Sequence, residues 1–401
     1  MTPRNGAFLH LLSTLILIAC AGGDGPSGAS SEGVGAYASL KLEVAYPDPF
    51  SFLNEVRELG DGTVMAADPL SQVLLRLDLR TATADTLGRV GEGPQEYQQP
   101  DQVFPLPGDS TLLVDLGKTQ LIVVDPHGSF HAGMRMVEVD EAGSVLMMQP
   151  RFVDREGRLY FLGGGDSREA PADSIQVSRY DRRSGASETL GWLWRTPPIV
   201  TRIDGGVRRT SVRMAPRDDW AAGPDGRFAI VRADGYRVEW HFPDGRVVTG
   251  PPNPVETVPL TDEDKYASFE AASSAGMQVS VFGGDDGAVE VSMSRVGGSL
   301  RNRDEINLRD YEWAERYPAF KAGRARIAPG GQLWVERWLH PKEAPLMDVF
   351  GEDGVKIGSV ALPPGRELIG WGTTSDGVPA VYLTRTDEFD LMYLERYRLV
   401  Q

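Results

Sequence analysis

Six times along this chain the same local pattern returns: an apolar run, a turn built on Asp, Gly or Pro, a second apolar run, a gap and a third run. Asp101–Arg135 reads DQVFPLPGDSTLLVDLGKTQLIVVDPHGSFHAGMR, and Arg217–Gly250 reads RDDWAAGPDGRFAIVRADGYRVEWHFPDGRVVTG. Such a repeat constrains the architecture more than any single motif, because one unit cannot bury its apolar face alone and must stack on its neighbours. The turns fall at matching points: Asp61-Gly62, Gly108-Asp109, Glu156-Gly157, Asp225-Gly226, Gly330-Gly331 and Asp376-Gly377. Gly permits positive φ there, and Asp accepts local backbone hydrogen bonds.

The units run over about 52–88, 101–136, 146–193, 217–250, 323–361 and 366–399. Short strands in series, with a strongly apolar one after each turn, predict an all-β fold, a six-bladed β-propeller. The last unit runs out after three strands, while Ser39–Tyr46 (SLKLEVAY) precedes the first unit unassigned. That N-terminal strand is expected to complete the last blade, closing the ring and removing two open sheet edges. A small α/β insertion, 251–322, separates units four and five. A helix is expected from Thr261 to about Ser274, with Thr261 and Asp264 as a capping box. A hairpin around Gly283–Gly287 follows, then a second helix over Arg309–Phe320, broken by Pro318.

The chain is 401 residues long with 46 Gly and 28 Pro, a composition suited to many tight turns, and its formal charge of −16 argues against nucleic acid as a partner. Arg4 precedes the apolar stretch Ala7–Ala19, which falls short of the roughly 20 residues a spanning helix needs but suits a signal peptide. Leu17-Ile18-Ala19-Cys20 resembles the lipobox of bacterial lipoproteins. The resemblance implies a signal peptide over 1–20, lipid on Cys20 and a membrane anchor that does not span. With Ala21 rather than Asp behind it, it implies an outer-membrane location facing the periplasm. Residues 21–38 are a flexible Gly/Ser-rich tether, and 39–401 the propeller. Cys20 is the only cysteine, so no intramolecular disulfide can form.

Gly91-Glu92-Gly93-Pro94-Gln95-Glu96-Tyr97, followed by Pro100 and LLVDLGKTQLIVVDPHG, resembles the GxGPGEFxxP segment of NHL-type six-bladed propellers and its continuation. Gln95 and Tyr97 depart from it, and only unit two matches well. Units four and five are similar to a group of bacterial propeller lipoproteins. The resemblance covers about 40–401 and implies the fold, not a reaction. Some related propellers are metal-dependent lactonases or lyases, but their axial ligands find no residue-by-residue match here.

Catalytic motifs are missing: the sequence has no HExxH, no GxSxG and no phosphate-binding Gly loop. His127 and His131 flank Gly128 in an expected hairpin, where the spacing does not serve a metal. Asp68 and Asp115 follow the second strands of units one and two; repeated turn chemistry accounts for them, and a cation at the mouth of the ring is the sharper alternative. Against the acidic background stands an arginine cluster, Arg195, Arg202, Arg208, Arg209, Arg213 and Arg217, with Trp192, Trp194 and Trp220 around it. Guanidinium groups with aromatic neighbours suit anionic sugars, phosphates or carboxylates; the alternative is a solvated loop whose arginines pair with Asp204, Asp218 and Asp219. The candidate ligand-binding set is Arg208, Arg209, Arg213, Arg217, Trp220, Tyr236 and Trp334, with no catalytic or metal-binding residue assigned. The expected function is binding or scaffolding of a protein, a carbohydrate or another anionic ligand in the cell envelope, without a cofactor. The alternative is a lactonase- or lyase-type enzyme with a divalent cation such as calcium in the central channel.

Overall fold

The computed structural model describes residues 37–139, 145–163, 173–203, 206–274, 277–283, 289–295, 303–340 and 343–400. The expected signal peptide, Cys20 and all but the last two residues of the tether lie outside them. The described residues form six four-stranded antiparallel sheets in chain order, the blades of a β-propeller. The innermost strands are Val56–Glu58, Pro100–Pro105, Phe152–Val153, Asp219–Ala222, Arg326–Ile327 and Arg366–Thr373. Val56–Glu58 lies against both Pro100–Pro105 and Arg366–Thr373, while Phe152–Val153 sits between Pro100–Pro105 and Asp219–Ala222. The inner strands therefore ring a central axis.

Second strands are buried on both faces because each blade packs between two others. Every residue of Val64–Asp68, Thr111–Asp115 and Leu333–Glu336 is buried. The same five-residue turn ends all six inner strands. Its first N–H donates to the fifth carbonyl, as Leu59 does to Thr63, Leu106 to Ser110 and Thr374 to Val378. The fourth position needs positive φ, which Gly62, Gly157, Gly226, Gly331 and Gly377 supply at 80° to 88°. Blade two places Asp109 there at φ 59°. That side chain accepts from the Arg57 guanidinium at 2.6 Å and the Gly60 N–H at 2.9 Å, which ties blade two to blade one.

The last blade closes as the sequence suggested. Ser39–Ala45 pairs antiparallel with Met392–Val400, from Ser39 opposite Val400 to Ala45 opposite Glu395. Tyr46, Phe50 and Leu53 then pack beneath blade one with Val64 and Leu77. Because strands alternate in direction, the chain enters Ser39 on the face that carries the tight turns. All links between blades lie on the opposite face, here termed the connection face.

Asp262–Ser274 is helical, and Thr261 and Asp264 cap it reciprocally: Thr261 N–H donates to Asp264 at 2.8 Å and Asp264 N–H to Thr261 Oγ1 at 3.3 Å. The hairpin forms from Met277–Gly283 and Val289–Arg295. The second expected helix does not form. Leu308–Asp310 is a single 3-10 turn and Glu312–Trp313 a short strand parallel to Val212–Arg213. Backbone donors that a helix would use internally go across the chain instead: Ala314 to Arg213, Tyr317 to Val258. Four aromatic residues and Pro318 weaken the helical alternative.

Candidate binding face

Each inner strand starts on the connection face, and a charged residue stands at or next to its head. These are Glu55 in blade one, Asp101 in two, Arg151 in three, Asp219 in four, Arg324 and Arg326 in five and Glu367 in six. They interact across the axis. Arg326 Nη1 lies 3.4 Å from Glu55 Oε1, joining blades five and one, which blade six separates along the ring. Arg151 reaches Asp219 at 2.8 Å and the Ala325 carbonyl at 3.4 Å, so blade three touches blade five past blade four. Arg324 pairs with Glu367 at 3.0 Å. Asp219 also accepts from the N–H groups of Arg324 and Ala325, at 3.1 and 2.8 Å.

Burial and pairing compete in this network. Burial pushes the Asp219 carboxyl up, but Arg151 and the Ala325 N–H outweigh it and the net displacement is downward. At Glu55 burial prevails over Arg326 and Arg151, and its carboxyl is raised. Asp101 is the one carboxylate of the ring without an arginine partner among the described residues. It is 4% exposed, and its carboxylate accepts from Asn54 at 2.8 Å. Burial pushes its carboxyl up to about 6, against the opposing hydrogen bond from Asn54.

Such a donor set suits a divalent cation poorly. Three guanidinium groups share the ring with the carboxylates, and Glu55, Asp219 and Glu367 each face one. Among the described residues no group of three or more His, Cys, Asp or Glu side chains is arranged to hold a metal ion. Asp68 and Asp115 are spent on backbone. Asp68 accepts from the N–H groups of Ser51, Leu70 and Ser71, and Asp115 from those of Gln98, Gln99 and Gly117. Each fastens its own strand connection to the link arriving from the previous blade. His131 faces Asp125 at 3.0 Å in a hairpin turn.

The seven candidate ligand-binding residues separate into three environments. Trp220, Tyr236 and Trp334 are 0%, 2% and 1% exposed and fill the interfaces between blades. Trp220 packs edge-on against Phe152 at 5.1 Å, Trp334 edge-on against Trp371 at 5.0 Å, and the Tyr236 hydroxyl donates to Asp348 at 2.9 Å. Their size and burial serve blade packing, and no ligand can reach them without opening the ring. Arg213 is partly buried and stands over three rings, 4.2 Å from Phe269, 5.3 Å from Tyr311 and 5.2 Å from Trp313. It clamps the insertion to the link between blades three and four, a cation–π contact inside the molecule. Arg217 forms a backbone bridge with Arg195 at the base of that link.

Arg208 and Arg209 lie on a hairpin that this link projects, Ile199–Ile203 paired with Gly206–Thr210. Both residues are exposed, as are Arg202 and the apolar Ile199, Val200 and Val207. The structure thus places Arg202, Arg208 and Arg209 on one hairpin, with Arg202 and Arg209 on the same face and Arg208 on the other, sets Arg213 apart and leaves the aromatic candidates in the core. The axial charges went unread in the sequence, although each stands near its turn. Glu55, Asp219 and Arg324 each precede the turn's first residue by four positions, Arg151 by three, Asp101 by five and Glu367 by seven. Register shifts at Pro100/Gln102 and Leu368/Gly370 contribute to the uneven spacing.

No family model matches the chain. Solved structures with which it shares a general likeness include a calcium-binding protein, regucalcin, from Agrobacterium tumefaciens, at 13% identity over 90% of this chain and 96% of that one, TM-score 0.35. A gluconolactonase from Xanthomonas campestris matches at 11% identity over 93% and 99%, TM-score 0.36. A catalytically inactive virginiamycin B lyase from Staphylococcus aureus matches at 10% identity over 90% and 99%, TM-score 0.33. At these scores the likeness carries no argument about chemistry. The six-bladed assignment stands on the sheet topology itself.

Proposed function

We propose that this propeller is a lipid-anchored binding module of the bacterial cell envelope that engages an anionic ligand or partner on its connection face. One contrast carries the reading. The charges at the axis are mostly spent on one another, whereas Arg202, Arg208 and Arg209 project into solvent with no carboxylate paired to them among the described residues. Guanidinium groups held outward in a chain of net charge −16 are an expensive feature to retain without an anionic partner.

The test is titration of the membrane-extracted protein with two polyanions, sulfated dextran and polyglutamate, followed by fluorescence anisotropy. R208A/R209A is expected to weaken binding by about tenfold or more and to flatten its salt dependence. Arg213→Ala serves as the comparison, since that group faces inward. Equal affinity for wild type and R208A/R209A would sink the proposal. The second reading, a divalent-ion lactonase- or lyase-type enzyme at the axis, draws on one observation, the buried Asp101 beside Asn54. Metal analysis of the purified protein, with lactone hydrolysis measured before and after adding calcium, separates the two.

A further inference from the structure

Within the described residues, Ile199–Ile203 and Gly206–Thr210 form a two-stranded sheet to which no third strand is added on either edge. A lone pair of short strands is marginal in water, and exposed edges are normally shortened, bulged or covered. This one is flat in register, with five consecutive residue pairs and no bulge. Ile199, Val200 and Val207 are 44%, 58% and 55% exposed. Pairing places Val200 opposite Arg209 and Arg202 opposite Val207 on one face, and Ile199 opposite Thr210 and Thr201 opposite Arg208 on the other. Each face therefore alternates aliphatic or methyl-bearing groups with guanidinium.

Many arginines elsewhere in the propeller face carboxylates, as Arg57 faces Asp109, Arg158 Asp154, Arg227 Glu352 and Arg232 Asp218. In this hairpin positive charge, apolar surface and unpaired strand edge coincide. An edge of this kind recognises an extended chain through its free N–H and C=O groups, and the alternation of its side chains decides which chain.

We infer that the hairpin accepts an extended acidic segment of a partner protein as an added β-strand. Carboxylates of the segment lie on the face that carries Arg202 and Arg209, and its aliphatic side chains lie on the opposite face, beside Ile199 and Thr201. The inference rests on the anionic-ligand reading above and narrows it to a peptide. A sulfated sugar would engage the arginines but leave the edge N–H groups and the apolar side chains of the opposite face unused.

The experiment is backbone hydrogen exchange on the membrane-extracted full protein with three probes: a peptide of alternating Glu and Val, the same peptide with alternate amides N-methylated, and sulfated dextran. The unmodified peptide is expected to bind in a salt-sensitive manner and to slow exchange along one hairpin strand by about tenfold or more. R208E/R209E is expected to abolish both effects while leaving the far-ultraviolet circular dichroism unchanged, and N-methylation to abolish them in the wild type. The inference is overturned if the peptide does not bind, if it binds without slowing exchange in the hairpin, or if the N-methylated form binds equally well. It is also overturned, in favour of a second copy of this chain, if the protein dimerises through the hairpin with no peptide present. Arginine-dependent binding of sulfated dextran alone leaves the anionic-ligand reading standing and removes strand addition.

Discussion

On the turn face all six inner strands end in the same five-residue loop, whereas on the connection face the links between blades run from the four residues 362–365 to the long span 250–325. The turn face repeats because one local solution, a positive-φ residue at the fourth position, satisfies the hairpin wherever it occurs. On the connection face the chain must travel from the rim of one blade to the axis of the next, and many paths do this. Charge follows the same division. On the turn face Arg57 and Arg227 link neighbouring blades, while on the connection face Arg326 crosses the axis, Arg213 is caged by the insertion and Arg208 and Arg209 are exposed. The comparison teaches that repetition marks what holds the ring and variation marks where a ligand can be selected.

Ring closure offers the severest way to break this picture. Deleting 39–45 removes the outer strand of the last blade, exposes the edge of Met392–Val400 and uncovers Leu394 and Tyr397, which are buried. With several hydrogen bonds lost at about 1 kcal/mol each and apolar surface exposed, the loss is expected to exceed about 5 kcal/mol. Urea denaturation followed by tryptophan fluorescence measures it. A truncated protein that melts with the full one would mean that the seam is not closed by this strand.

Next in size come the cross-axis pairs. Arg326→Met leaves the partly buried Glu55 without its counter-charge and is expected to cost about 3 kcal/mol at pH 8. Burial already raises the Glu55 carboxyl, and Arg326 is the first of the groups that oppose it. The cost therefore shrinks as the pH falls and Glu55 takes up a proton, and E55Q/R326M recovers most of it. Equal destabilisation by the single and double substitutions would show that the pair is not coupled.

Asp101 gives a smaller effect of opposite sign. Its ordinary value is 3.8 and burial lifts it to about 6, so the folded chain holds this proton more tightly than the unfolded chain. Stability from this group is present below pH 3.8, falls as the pH climbs through that window and is gone above about 6. At about 1.4 kcal/mol per pK unit the loss is bounded near 3 kcal/mol, and about 2 is expected after local relaxation. Asp101→Asn keeps an oxygen for Asn54 to donate to and cannot ionise. It should raise the melting temperature at pH 8 and leave it nearly unchanged at pH 4; a rise of the same size at both would remove the charge argument.

The turn face was legible in the sequence because its determinants are local. Asp61-Gly62 and its five counterparts announced the hairpins, and the unassigned SLKLEVAY announced the closure. The capping box at Thr261 and Asp264 was legible for the same reason. The failures lie where partners are distant in sequence. Arg309–Phe320 was expected to be helical, yet its backbone donors go to Arg213 and Val258. Trp220, Tyr236 and Trp334 looked like binding aromatics until their burial between blades was visible. The axial ring escaped because Glu55 and Arg326 belong to units far apart in the chain. Among six arginines in one stretch, spacing alone could not tell the caged Arg213 from the exposed Arg208.

That last distinction gives the finest test of the two-face comparison, because it sets neighbours in one link against each other. Arg213→Ala empties a cage of Phe269, Tyr311 and Trp313 and is expected to cost about 1–2 kcal/mol, with faster hydrogen exchange in Asp262–Ser274. R208A/R209A touches groups that are exposed and unpaired among the described residues, so its effect on stability should stay within about 0.5 kcal/mol. Thermal melts of the two variants at one pH and salt concentration make the comparison. If R208A/R209A destabilises as much as Arg213→Ala, the hairpin is packed against the ring and its arginines are structural. If only Arg213→Ala does, the charge of the hairpin is not needed for folding, and recognition is what remains for it to serve.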